Sequence, residues 1–157
     1  MVSIGVANKN NISAIEKICG NIVEVKNLAK ITDISNLNIV VLSEKGKNQI
    51  CSTVSPDTFL IIDSDSISPL DIVCQQKVYL ITYGLNSKAT LTASSLGDNQ
   101  IFLCLQRTVI DINKNEIEPQ EFSIFKNDNY DVTELMSIVA TSIVCGVPIK
   151  KLSSFVF

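Results

Sequence analysis

Thr58-Phe59-Leu60-Ile61-Ile62 is an unbroken apolar run that stops at Asp63-Ser64-Asp65. A strand with one wet face alternates apolar and polar residues, so a run without alternation reads as a strand buried on both faces. Similar runs stand on either side of it. Val2-Ser3-Ile4-Gly5-Val6-Ala7, Ile22-Val23-Glu24-Val25, Asn38-Ile39-Val40-Val41-Leu42-Ser43 and Lys77-Val78-Tyr79-Leu80-Ile81-Thr82-Tyr83 share its β-branched character. Between the first two, Asn8-Lys9-Asn10-Asn11 makes a turn with good capping residues. Ile12, Ile15 and Ile18-Cys19 then recur at helical spacing, and Gly20 closes the helix. Leu28 to Ile34 reads as a short helix or turn, Lys45 to Asn48 as a polar loop, Gln49 to Val54 as helix or coil, and Pro69 to about Cys74 as a helical turn. Buried strands separated by helical segments predict a Rossmann-like α/β fold, with a mostly parallel sheet, flanking helices and right-handed crossovers.

The pattern changes at Lys88. Ala89 to Ser94 alternates, Leu96-Gly97-Asp98-Asn99 is a turn, and Ile101-Phe102-Leu103-Cys104-Leu105 runs on to about Ile112. Asn113-Lys114-Asn115 is a second turn before a strand from Ile117 to Phe125. Together these predict a small antiparallel meander. Inward parity shifts between Ile117 and Phe122, and Pro119 lies between them, which predicts a bulge or an edge strand. Asp131 and Glu134 then form an Asp-x-x-Glu capping box. Val132, Leu135, Met136, Val139 and Ile143 make the stripe of a C-terminal helix that Gly146 and Pro148 stop, with one more turn after Pro148. The organisation expected is one domain, with a parallel α/β part over 1–87, a meander over 88–126 and a helical part over 127–157.

Composition narrows the chemistry. The 157 residues carry 13 Lys+Arg against 16 Asp+Glu, a formal net charge of −3, with no His, no Trp and Arg107 as the only Arg. A mildly acidic chain of this kind has no electrostatic footprint for nucleic acid. Without His there is no Ser-His or Cys-His nucleophile pair, and the commonest metal ligand is missing. Cys19, Cys51, Cys74, Cys104 and Cys145 are odd in number, widely spaced and set among apolar neighbours, as reduced buried thiols in a cytoplasmic protein would be. The start of the chain has no basic region followed by a long apolar stretch. The most apolar long segment, Val132 to Ile149, is too broken to span a bilayer. No membrane, nucleic acid, metal or cofactor is expected.

Eight residues qualify for ligand contacts. Asp63 and Asp65 follow a parallel strand at its carboxyl end, where open α/β sheets place ligands. They offer a magnesium site or an acid–base pair, against a plain role as loop-capping carboxylates. Asn8, Lys9 and Asn10 lie at the carboxyl end of the first strand and the start of a helix, where an anion or simply a helix cap would explain them. Gly84 ends the fifth strand in a tight turn, and Asn86 beside it would line a cleft. Arg107 is expected to pair with Glu116, Glu118 or Glu121 across the hairpin, or else to hold a ligand carboxylate or phosphate.

The order of elements resembles the central domain of Mur ligases, the ATP-dependent amide-bond-forming enzymes of peptidoglycan synthesis. Val78 to Leu85, ending in Tyr83-Gly84 and leading into Ala89-Thr90-Leu91-Thr92-Ala93, is similar to that domain's last parallel strand and the small antiparallel sheet after it. Tyr130 to Leu135 and Cys145-Gly146-Val147-Pro148 are similar to the bounds of the helix that follows. Asp63 and Asp65 resemble an Asn-x-Asp-Asp segment of the family. The likeness is clearest over residues 78–152. It implies a Mur-like fold, but the parts that do the family's chemistry differ. Ala7-Asn8-Lys9-Asn10-Asn11 has no glycine after the strand and no Thr or Ser after Lys9, so it is either a decayed phosphate loop or an unrelated turn. The metal-binding His has no counterpart, and Asp131 and Glu134 stand where the family has two Asn near the nucleotide. No segment matches the C-terminal amino-acid-binding domain.

The function expected is therefore a non-catalytic Mur-ligase-like binding or interaction module. It would associate with a second copy of the chain or another cytosolic protein, using Phe102, Phe122 and Phe125 on the meander. The alternative is a small-molecule or nucleotide binder, or an enzyme of peptidoglycan-precursor metabolism, using the carboxyl edge of the sheet. ATP-dependent ligation is disfavoured.

Overall fold

A computed structural model describes residues 1–43, 54–69 and 77–157. Its strands are β1 (Val2–Val6), β2 (Val23–Asn27), β3 (Ile39–Leu42), β4 (Phe59–Asp63), β5 (Tyr79–Tyr83), β6 (Leu91–Leu96), β7 (Gln100–Leu105), β8 (Val109–Ile110), β9 (Glu116–Ile117) and β10 (Gln120–Phe125). Its helices are α1 (Ile12–Cys19), α2 (Val132–Val144) and α3 (Ile149–Ser154). The readings of Lys45 to Asn48 and of the helical turn toward Cys74 fall outside the described residues, as do Cys51, Cys74 and most of the stretch from Gln49 to Val54.

The five apolar runs form the parallel strands, in the order β2-β1-β3-β4-β5. The fold is the Rossmann-like α/β arrangement that their unbroken patterns predict. Period-two geometry splits the two central runs, β3 and β4, between two apolar layers. Against the expectation of burial on both sides, β2 exposes Glu24 and β5 exposes Leu80 on the second face. Ile39, Val41, Phe59 and Ile61 join the layer with α1 and α2, while Val40, Leu42, Leu60 and Ile62 join a second layer with Leu28, Leu37 and Ile67. Burying each such side chain stabilises by about 1.5–3 kcal/mol, so both faces must be apolar.

The antiparallel strands are not a separate layer beside this sheet. β6, β7 and β10 extend it to eight strands, ending at β10. β6 meets β5 through one register pair, Tyr83 with Leu91. Two threonines stitch the strands together just beyond it: Thr90 N–H donates to Thr82 Oγ1 at 2.9 Å, and Thr82 N–H donates to Thr90 Oγ1 at 3.4 Å. The bulge falls in β6 between Ala93 and Ser95 rather than near Pro119. Pro119 instead separates β9, which pairs only with β8, from β10, which is an edge strand. The run expected to continue from Ile101 to Ile112 breaks after Leu105, where the chain turns before β8.

The capping box of α2 forms in full. Glu134 N–H donates to Asp131 Oδ1 at 2.8 Å and Asp131 N–H donates to Glu134 Oε2 at 3.1 Å. From Leu135 to Val144 every residue of α2 is buried, not only one stripe, because the helix lies on β3 to β6 and against α1. Its buried hydroxyls bond back along the helix, Thr141 to the Ser137 carbonyl at 2.7 Å and Ser142 to the Ile138 carbonyl at 2.8 Å. Gly146, at φ 83°, ends it. No helix among the described residues is long and apolar enough to cross a membrane.

Candidate functional site

The strand order β2-β1-β3-β4-β5 reverses direction between β1 and β3. Open α/β sheets leave a crevice outside the carboxyl ends of the strands at such a reversal. A cleft of about 560 Å³ lies at this point, lined by Asn8, Lys9, Asn10, Asp63, Asp131 and Glu134 among others. Four of the eight sequence-predicted residues therefore meet here. Asp65, Asn86 and Arg107 line a different cleft of about 630 Å³, together with Lys88, Leu80 and Thr82. Gly84 lines neither.

In the first cleft, the loop after β1 is closed by the chain itself. Asn8 accepts a hydrogen bond from Asn10 N–H at 3.0 Å, which caps the short 3-10 turn before α1. Its amide then donates to Glu134 Oε1 at 3.0 Å, and the Asn10 amide donates to the same oxygen at 3.4 Å. A carboxylate from α2 thus occupies the loop that an anion would need. Asp63 is buried, and neutral donors hold it: Asp65 N–H at 3.0 Å on Oδ1 and the Ser66 hydroxyl at 3.1 Å on Oδ2. Tyr83 stands behind this loop, where burial pushes its phenol above the ordinary range.

In the second cleft, Asp65 organises the turn after β5. It accepts Leu85 N–H at 2.6 Å, Asn86 N–H at 3.1 Å and the Asn86 amide at 2.7 Å. Partial burial would raise its pKa, but these donors, the Asn86 amide foremost, outweigh it and hold the carboxyl below its ordinary value. Gly84 lets that carboxylate come close, since a Cβ there would lie 2.8 Å from Asp65 Cγ. Arg107 corrects one expectation. It is exposed and makes no ion pair, and Lys26 with Glu24 is the only salt bridge among the described residues. Glu121 instead accepts the Ser94 hydroxyl at 2.5 Å. Phe122 also differs from expectation: it points into the core at 8% exposure, while Phe102 and Phe125 are exposed.

Cys19 and Cys145 are buried side by side where α1 and α2 end, and Cys104 is half-buried. A hydrogen bond from the Cys145 thiol lowers the Cys19 pKa, and the same contact, with burial, raises that of Cys145. No group of three or more His, Cys, Asp or Glu among the described residues is placed to hold a metal ion.

Two site residues escaped the sequence reading. The capping spacing and the Mur-like position of Glu134 do not predict that its second oxygen reaches across to Asn8 and Asn10 in the β1 loop. Asn11 belongs to the expected turn, yet it is 1% exposed. Its spacing carries a signal, because position 11 shares one helical face with the buried Ile15 and Ile18.

The fold and its switch-point cleft define a Rossmann-like α/β protein. No family model matches the chain, and no curated protein matches it.

Proposed function

We propose that this chain is a non-catalytic binding module on a Mur-ligase-like framework, acting by association with a second copy of itself or with another protein. The observation that carries the reading is the carboxylate of Glu134 between Asn8 and Asn10. A phosphate loop presents backbone N–H groups and a lysine to the anion. Here the corresponding turn presents two amides that are already engaged by a negative charge. Two like charges 4 Å apart repel by about 1 kcal/mol in water and by about 4 kcal/mol near a protein surface, which opposes a nucleotide phosphate at this loop.

The surface available for association lies at the other end of the sheet. Phe102 and Phe125 are exposed on one face of β7 and β10, since Phe102 pairs with Ser123 and Phe125 stands two residues further along. Light scattering of the chain, with affinity capture of partners, tests the reading. A dimer, or a reproducible partner, that is lost in Phe102→Ser with Phe125→Ser is expected. A monomer at all concentrations with no captured partner would overturn it.

A second reading is favoured by the cleft of about 560 Å³ at the strand reversal: a small-molecule binder, or an enzyme of peptidoglycan-precursor metabolism, at the carboxyl edge. Thermal shift against ATP, UDP-sugars and magnesium tests it. A ligand at 100 times its Kd stabilises by about 2.7 kcal/mol, and a flat panel at high concentration removes the idea.

A further inference from the structure

Oδ1 of Asn11 is the only buried side-chain polar atom without a hydrogen-bond partner among the described residues. A buried polar atom is almost always satisfied, and one that is not points to a missing group. Asn11 lines a small cavity of about 40 Å³ with Ser43, Tyr83, Thr133 and Ser137. That volume holds one water or one compact polar head group. Asn8, Ser43, Thr133 and Glu134 wall both this cavity and the cleft of about 560 Å³.

An amide oxygen only accepts, so the missing group is a hydrogen-bond donor. The charge of the cleft points the same way. Asp63, Asp131 and Glu134 line it, and Lys9 is the only cation among its lining residues. Among the described residues these carboxylates meet neutral donors only, namely the amides of Asn8 and Asn10, the Ser66 hydroxyl and backbone N–H groups. None of the three forms an ion pair among the described residues.

We propose that the cleft at the carboxyl ends of β1 and β3 binds a small primary ammonium compound, with its N–H donated to Asn11 Oδ1 and its charge facing the carboxylates of the cleft. This rests on the second reading, that the carboxyl edge holds a small molecule, and it names the ligand's chemistry. The orphaned acceptor calls for N–H donors, so positive charge alone is not enough.

The test is an NMR titration of the ¹⁵N-labelled full chain with n-butylammonium, with tetramethylammonium and butyrate at equal ionic strength as controls. Saturable shifts at Asn11, Thr133 and Glu134 are expected with n-butylammonium. Affinity for tetramethylammonium, which has no N–H, should be weaker by about tenfold, the loss of one charge-assisted hydrogen bond. Asn11→Leu should lose the butylammonium response by a similar factor and Asn11→Asp should keep it. Should Asn11→Leu fail to fold, the two cations compared on the unaltered chain decide alone. Equal responses to both cations, or none to either because a single water fills the cavity, overturn the proposal. A flat response to n-butylammonium with saturable binding of ATP or a UDP-sugar at the same residues rejects the amine and keeps the carboxyl-edge reading, whereas a flat response to all of them rejects both.

Discussion

The amide of Asn8 donates to the carboxylate of Glu134 at 3.0 Å across 126 residues of sequence. One side chain thereby caps α2, closes the loop after β1 and ties the first strand to the last long helix. Truncation to Glu134→Ala should lower stability by about 2 kcal/mol, combining a lost cap with lost hydrogen bonds to a charged acceptor. Glu134→Gln keeps one acceptor oxygen and should lose less. Urea unfolding at constant m measures both, and an unchanged midpoint for Glu134→Ala would mean that the contact carries no weight.

Gly84→Ala would bring a Cβ within 2.8 Å of Asp65 Cγ. The carboxylate must then shift away from Leu85 and Asn86, at an expected cost of about 1–3 kcal/mol. Removing Asp65 as well removes the collision, so the double variant Gly84→Ala with Asp65→Ala should be more stable than the sum of the single losses predicts. A double-mutant cycle reads this directly. Strict additivity would show that the two residues do not meet.

The lowered pKa of Asp65 fixes the sign of one pH effect. Its folded-state value lies below the ordinary 3.8, so the folded protein binds its proton less tightly than the unfolded chain does. Its contribution is fully present above that ordinary value and is lost as pH falls through the folded one. The difference in unfolding free energy between wild type and Asp65→Asn should therefore shrink as pH falls below 3.8. An equal difference at every pH from neutral to strongly acid would contradict the assignment.

Arg107→Ala should change stability by less than about 0.5 kcal/mol, as expected of an exposed side chain with no ion-pair partner among the described residues. A loss well above that would restore the pairing with Glu116, Glu118 or Glu121.

Legibility in the sequence followed the range of the interaction. The central parallel strands could be read because burial on both faces leaves an unbroken run such as Phe59-Leu60-Ile61-Ile62. The cap of α2 could be read because Asp131 and Glu134 are three residues apart. The junction of β5 and β6 could not, since a single residue pair and two threonine hydroxyls leave no periodicity. Arg107 without an ion pair among the described residues, and Glu134 reaching Asn8, depend on how distant segments pack, which residue type and spacing do not encode. The candidate ligand residues divided between two clefts for the same reason: Asp63 and Asp65 are two apart in the chain, but they line different clefts that meet at Ser66.

The position of α2 also bears on how the molecule is made. The helix rests on strands from β3 to β6, yet every strand is synthesised before it. Chains acquire structure as they emerge, and apolar surface left open meanwhile invites aggregation. Here Ile39, Val41, Ile61 and Tyr83 must wait for Leu135, Met136 and Val139 before their layer is complete. The side of the sheet that α1 shares with α2 thus stays partly open until Val132–Val144 leaves the ribosome, and a break in translation before Val132 would leave Ile39, Val41, Ile61 and Tyr83 without that cover, a product fit for degradation or clumping.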